Sequence, residues 1–165
     1  MSRAFVNEDH AAAQASQPVE RQVSGNPNYV TANGLAQLQT HVATLQAQHG
    51  EQTSRGESAD KQRLADIERD LRYFNQRLHS AQVVTPAIST EKVQIGSWVT
   101  FADEEDQSQR VQLVGEDQAE AASGLINWAS PLGKALLGAE VGDEVTWQRP
   151  AGDQIIEILQ IEADT

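Results

Sequence analysis

Two stripes of apolar residues, set apart by a polar gap, constrain the fold of this chain more than any other feature. In each stripe the apolar side chains recur three and four residues apart, as they do along one face of a coiled-coil helix. The stripes are Leu35, Leu38, Val42 and Leu45, then Leu64, Ile67, Leu71, Phe74 and Leu78. The gap holds Gly50 and Gly56, where the chain can reverse. Residues 29–84 are therefore predicted to form an antiparallel coiled-coil hairpin with arms of roughly 20–24 residues, about 30–36 Å long.

The segments that flank the predicted hairpin are polar and contain residues that break helices. Residues 1–28 are rich in alanine and glutamine and include Pro18 and Pro27. We expect a mostly disordered tail there, since little apolar surface is available to offset the entropy of ordering. Residues 85–92, with Pro86, are predicted to be a linker. Neither segment offers a third amphipathic helix, so a fragment of a larger helical bundle is the weaker alternative to a projecting hairpin.

The remaining residues, 93–165, contain short runs of β pattern separated by turn residues. The runs are VQIGSWVTFAD, QRVQLVGED, GLINWAS, DEVTWQRP and QIIEILQIE. One short helix, PLGKALLG, is predicted between them, with Ser130 as its N-cap, Pro131 at its first position and Gly138 as its C-cap glycine. The three tryptophans are expected within strands, in or near the core: Trp98, Trp128 and Trp147. The predicted fold class is α+β, a helical hairpin followed by a small antiparallel sheet crossed by one short helix.

The charge of the chain is concentrated in its C-terminal half. The net charge is −12, and residues 91–165 carry fifteen acidic residues against four basic ones. Such a domain repels a phosphate backbone, which argues against autonomous nucleic-acid binding and favours a protein or metal-bearing partner. The absence of cysteine excludes disulfides, zinc–thiolate sites and a cysteine nucleophile. No apolar run has the length of a signal peptide or a membrane span, so we expect a soluble, cytoplasmic protein.

The order and spacing of several short motifs between Tyr29 and Glu162 resemble the GreA/GreB family of bacterial transcription elongation factors. The motifs that carry the resemblance are SAQVV (80–84), VGED (114–117), SPL (130–132), ALLG (135–138), VGD (141–143) and PAG (150–152). The opening MSRAFV is similar to the start of a Gre-like subgroup. No single motif is diagnostic, but together they indicate the family.

The resemblance implies a C-terminal domain of FK506-binding-protein-like fold that docks on RNA polymerase at the rim of its secondary channel. It implies that Ser130, Pro131 and Leu132 lie on the surface that binds polymerase, and that the hairpin enters the channel. The factor would act as a monomer and would not be an enzyme itself. It would need no cofactor of its own, because Mg²⁺ is supplied by the polymerase active site. The factor would contact nucleic acid only within the elongation complex.

The predicted hairpin tip departs from the family pattern. Gre factors carry two acidic residues at the tip that help to hold a catalytic metal in the polymerase, and here Glu57 and Asp60 are the candidates. Their spacing predicts two carboxylates on one side of a helical turn. Each arm is about two turns, or roughly 11 Å, shorter than is usual in the family. The function is therefore expected to be either stimulation of RNA cleavage or, alternatively, occupation of the channel by a non-cleaving paralogue that competes with Gre factors.

A prolyl isomerase is a remote alternative, because the FK506-binding-protein-like fold also hosts such enzymes. They need an apolar pocket lined by aromatic residues. This chain has eight aromatic residues, with the tryptophans spread over different predicted strands. Such a pocket is therefore hard to assemble from this sequence.

Overall fold

The computed structural model of the chain describes residues 18–164. This part of the chain divides into two compact units. The hairpin unit comprises the described residues up to Gly25 together with Leu38–His79, and the sheet unit comprises Asn26–Gln37 together with the described residues from Ser80 on. Residues 29–37 and 80–84, at the two ends of the predicted hairpin, therefore belong to the sheet unit.

The hairpin unit is built on two long helices, α1 (Ala32–Ser54) and α2 (Lys61–Ser80). The ring of His41 stacks on that of Phe74 with centroids 4.6 Å apart, and His49 Nε2 lies 3.2 Å from a carboxylate oxygen of Glu68. His41 precedes His49 in α1, whereas its partner Phe74 follows Glu68 in α2. The two helices are therefore antiparallel. Leu38, Val42 and Ile67 are buried, as the apolar stripes predict.

The described end of the N-terminal tail lies against α2. Glu20 forms an ion pair with Arg72, whose Nε donates a hydrogen bond of 2.9 Å to the carboxylate. This hydrogen bond is the main reason that the pKa of Glu20 is lowered and that of Arg72 is raised. The guanidinium of Arg21 lies 4.0 Å from the ring centroid of Tyr73. Charge and ring contacts thus place Glu20 and Arg21 against α2. Residues 1–17 of that tail lie outside the described residues.

The sheet unit contains a five-stranded sheet in the order β5-β4-β3-β7-β6. Its strands are β3 (Trp98–Ala102), β4 (Ser108–Val114), β5 (Leu125–Asn127), β6 (Glu144–Trp147) and β7 (Gln154–Glu162). A separate parallel pair joins β1 (Tyr29–Val30) to β2 (Gln82–Val83). The predicted α+β fold class is confirmed, but β4 and β5 pair in parallel. The sheet is not wholly antiparallel because residues 115–124, with a short 3-10 helix, carry the chain back before β5 begins.

One short helix, α3 (Pro131–Leu136), packs on this sheet, and Gly138 follows it with φ +82°. The core between them is aliphatic apart from Phe101: Val93, Val99, Phe101, Val111, Leu113, Leu132, Leu136, Ala139, Ile156, Ile158 and Ile161. Trp98 and Trp147 lie in strands as predicted. The strand prediction is wrong for Trp128, which lies in the turn after β5 with its ring 5.2 Å from that of Tyr29. Among residues 18–164, none of the helices combines the length and the apolar content that a membrane crossing needs.

Candidate functional site: a groove at the start of the short helix

The start of α3 is held rigidly by a side-chain cap. The hydroxyl of Ser130 accepts a hydrogen bond of 3.1 Å from the backbone N–H of Gly133 and donates one of 2.7 Å to the carbonyl oxygen of Asn127. Pro131 occupies the first helical position, where the missing N–H costs no hydrogen bond. The predicted N-cap is confirmed. Pro131 is exposed, whereas Leu132 is only 6% exposed and belongs to the core.

Gly133 lets the first turn of α3 lie directly on the turn that follows β5. A Cβ atom at this position would lie 2.2 Å from the carbonyl oxygen of Asn127 and 2.6 Å from that of Trp128. These neighbours are backbone atoms, so they have little freedom to move away. The position of Pro131 on the surface therefore depends on a contact that only glycine permits.

A groove runs beside the exposed start of α3. Its volume is about 350 Å³. It is lined by residues of β5, α3 and the end of β6 with the turn that follows: Ile126, Ser130, Pro131, Leu132, Trp147, Gln148, Arg149 and Pro150. The groove adjoins a second cavity, of about 570 Å³, with which it shares Ile126, Leu132 and Trp147. Leu132 thus contributes to the floor of the groove, and Pro131 stands at its edge.

Part of this groove could not be found from the sequence. The sequence pattern places Gln148, Arg149 and Pro150 at the end of the β run DEVTWQRP and does not indicate that they line a groove. Trp147 was expected in the core, and it does contact Phe101 at a centroid distance of 6.3 Å, but it is half-buried and also lines the groove. A signal in the sequence is the tryptophan followed two residues later by an arginine, since both residue types are enriched at protein interfaces.

The groove differs in charge from the domain that carries it. No aspartate or glutamate is among the described residues that line the groove or the adjoining cavity, although the surrounding domain is strongly acidic. Both contain an arginine: Arg149 in the groove and Arg110 in the adjoining cavity. The site therefore combines an apolar floor with positive charge. Trp147 is the one aromatic residue among those lining residues, which does not match the aromatic-lined pocket of a prolyl isomerase.

The hairpin tip is the second candidate site, and its two acids lie in different local structures. Glu57 is exposed in a 3-10 turn (Gly56–Ser58) that opens with Gly56 at φ +56°. Asp60 is the N-cap of α2, since its Oδ1 accepts a hydrogen bond of 3.0 Å from the backbone N–H of Arg63. The backbone N–H of Asp60 donates to the side chain of Gln52 at 3.1 Å. The prediction that both carboxylates share one helical turn is wrong, because the chain leaves helical geometry at Ala59.

The part of the chain that the structure describes contains no cluster of three or more histidine, cysteine, aspartate or glutamate residues that could hold a metal ion. His41 and His49, both of α1, are engaged by α2 through Phe74 and Glu68. A metal at the tip would therefore need ligands from another molecule.

Comparisons with known proteins agree with the motifs. A family model described as "Transcription elongation factor, GreA/GreB, C-term" matches residues 88–163. Transcription elongation factor GreA of Sphingopyxis alaskensis is 32% identical over 146 residues, which cover 79% of this chain and 92% of that protein. Transcription elongation factor GreB of Neisseria meningitidis serogroup B is 35% identical over 152 residues, covering 82% and 93%.

Among solved structures, GreA factor homolog 1 of Thermus thermophilus is 26% identical, with 83% of this chain and 99% of that chain covered and a TM-score of 0.41. The family assignment rests on the sequence relatives, which match this chain over most of their own length. The chain belongs to the GreA/GreB family.

Proposed function

We propose that this chain is a transcription elongation factor that binds RNA polymerase at its secondary channel and regulates elongation there. The observation that carries the proposal is the apolar, acid-free groove beside the capped start of α3, on a domain that is otherwise strongly acidic. The relatives that match most of the chain are named transcription elongation factors, which supports the same function. The protein acts as a cytoplasmic monomer and meets nucleic acid only within the elongation complex.

In this proposal each residue at the start of α3 has a different task. Pro131 is exposed at a fixed position and offers a rigid apolar contact to polymerase. Ser130 uses its hydroxyl to cap the helix and so holds Pro131 in place. Leu132 is buried and supports the groove from below. The protein is an accessory factor without catalytic residues or a cofactor of its own, and any RNA cleavage would use the Mg²⁺ of the polymerase.

We expect the Pro131→Glu substitution to weaken binding to core RNA polymerase by roughly tenfold to a hundredfold, because it places an unpaired charge in a desolvated contact. The variant should remain folded, since glutamate is favourable in the first turn of a helix. Titration of labelled polymerase measures the affinity. Pro86→Glu is the matched control, because Pro86 is exposed and lies outside the groove. Equal affinity of Pro131→Glu and the parent protein would remove this helix start from the interface.

The geometry of the tip favours occupation of the channel without cleavage. A carboxylate delivered to a polymerase-bound Mg²⁺ can complete its oxygen ligands and help to activate water. Here Asp60 already caps α2, which leaves Glu57 as the one acid of the pair that no cap engages. The arms are 23 and 20 residues long, within the roughly 20–24 residues predicted from the sequence, and the expectation that they are short for the family supports this proposal. We therefore propose a factor that competes with cleavage-stimulating relatives for the channel.

We expect this protein to stimulate little RNA cleavage in a stalled, backtracked elongation complex, and the double variant Glu57→Gln/Asp60→Asn to change neither cleavage nor polymerase affinity. Asparagine is as good an N-cap as aspartate, so the double variant removes both charges but keeps the start of α2. Cleavage is measured as shortening of end-labelled RNA. Strong cleavage by the parent protein that is lost in the double variant would contradict the proposal and assign metal delivery to the two acids.

A further inference from the structure

Arg149 has a buried hydrogen-bond donor that nothing in the described chain satisfies. Its Nε–H group is closed to solvent and has no acceptor, and it is the one buried side-chain nitrogen or oxygen among residues 18–164 in this condition. Folded proteins satisfy nearly all such groups, so an exception needs an explanation. An unsatisfied donor on a charged side chain opposes folding, which argues that Arg149 is not there for stability.

The remaining contacts hold this arginine in place at the groove. Its Nη1 donates a hydrogen bond of 3.2 Å to the side chain of Gln154, the first residue of β7. Its guanidinium carbon lies 5.2 Å from the ring centroid of Trp147. The side chain is half-buried and lines the groove together with Pro131. It is therefore ordered before any partner arrives, which reduces the entropy lost on binding.

The charge of Arg149 is also unmatched within the domain. Arg110, which lines the adjoining cavity, donates a hydrogen bond of 2.8 Å to the carboxylate of Glu162. No such carboxylate lies within ion-pair distance of Arg149 among the described residues, although fifteen acidic residues occur between positions 91 and 165. Because no described carboxylate of this acidic domain pairs with Arg149, a carboxylate of another molecule can bind it beside the apolar groove.

We infer that Arg149 determines the specificity of the groove by pairing with a carboxylate of the partner, next to an apolar side chain that enters between Pro131 and Trp147. The planar guanidinium presents several N–H donors that match the two oxygens of a carboxylate. A phosphate would match them equally well, but the apolar lining and the acidic surroundings favour a protein segment over a nucleic-acid backbone. The inference rests on the proposed function, since it takes the partner to be RNA polymerase.

The test is binding of the full-length protein to core RNA polymerase at low and at high salt. We expect Arg149→Gln to bind roughly tenfold or more weakly at low salt, and its affinity to depend less on salt than that of the parent protein. Arg149→Lys, which keeps the charge but loses the planar fork, should give an intermediate affinity. Lys92→Gln is the matched control, because it removes one positive charge from the same unit at an exposed position that lines a different cavity.

The outcomes separate this inference from the function on which it rests. If the parent protein binds polymerase and Arg149→Gln binds equally well, or no more weakly than Lys92→Gln, the inference is overturned and the proposed function stands. If the parent protein does not bind polymerase at all, both are overturned. If Arg149→Gln binds polymerase more weakly and with a smaller salt dependence, while Lys92→Gln binds like the parent protein, the inference and the proposed function are both supported.

Thermal unfolding supplies a readout that needs no partner. Because Arg149→Gln removes a buried unsatisfied donor, its melting temperature should equal or exceed that of the parent protein. A clear fall in melting temperature would identify Arg149 as a structural residue and would overturn the inference.

Discussion

Replacing Gly133 with alanine is expected to lower the free energy of unfolding of the sheet unit by about 3 kcal/mol or more. The added methyl group would lie 2.2 Å from the carbonyl oxygen of Asn127 and 2.6 Å from that of Trp128. Both are backbone atoms, so relief requires α3 to move away from the sheet. That movement would expose core residues of α3, including Leu132 and Leu136.

Chemical denaturation followed by tryptophan fluorescence measures this effect, because all three tryptophans of the chain lie in the sheet unit. We also expect weaker polymerase binding by the variant, since a displaced α3 no longer presents Pro131 at the edge of the groove.

Gly50→Ala is the matched control, since it makes the same chemical change in the interior of α1. A Cβ atom at Gly50 has no neighbour within 4 Å, so the alanine should stabilise that helix by about 0.5–1 kcal/mol. Circular dichroism follows this change, because the hairpin helices supply most of the helical signal. Unaltered stability of the Gly133→Ala variant would mean that the close approach of α3 to the turn after β5 is not required.

The sequence predicted best those features that depend on a repeated or local pattern. The stripes placed Leu38, Val42 and Ile67 in the interior because helical periodicity leaves no other face for them. The pattern predicts Ser130 as a cap because serine is a favoured N-cap residue and the proline that follows it suits the first helical position. Both features need only residues that lie close together in the chain.

Such patterns do not predict contacts between segments that are far apart in the chain. The parallel pairing of β5 with β4 is set by the path of residues 115–124, which carries no periodicity. The groove combines Ile126, Pro131 and Arg149 from three separate elements, so its lining follows from the topology of the sheet. At the tip, the spacing of Glu57 and Asp60 predicts one shared helical turn, which the structure does not show. The capping role of Asp60 depends on where helical geometry stops, which spacing alone does not determine.

The hairpin offers the second large effect, because a single buried charge should melt it while the sheet unit stays folded. Ile67 is 5% exposed in α2, so Ile67→Asp removes a buried aliphatic side chain worth about 2 kcal/mol and adds a charge whose desolvation costs about 2 kcal/mol or more. The hairpin unit has few other buried apolar residues to compensate for this loss, since the remaining ones among its described residues are Leu38, Val42 and Tyr73.

We expect the far-ultraviolet circular dichroism of Ile67→Asp to lose most of its helical signal at temperatures where the parent protein keeps it. The tryptophan emission should stay unchanged, because the three indole rings lie in the other unit. Asn75→Asp is the matched control: it adds the same charge at an exposed position of the same helix, so it should leave both signals as they are. Retention of full helicity by Ile67→Asp would contradict the burial of the stripe. Loss of tryptophan signal together with helicity would show instead that the two units unfold as one, since a charge on α2 can reach the indole rings only through such coupling.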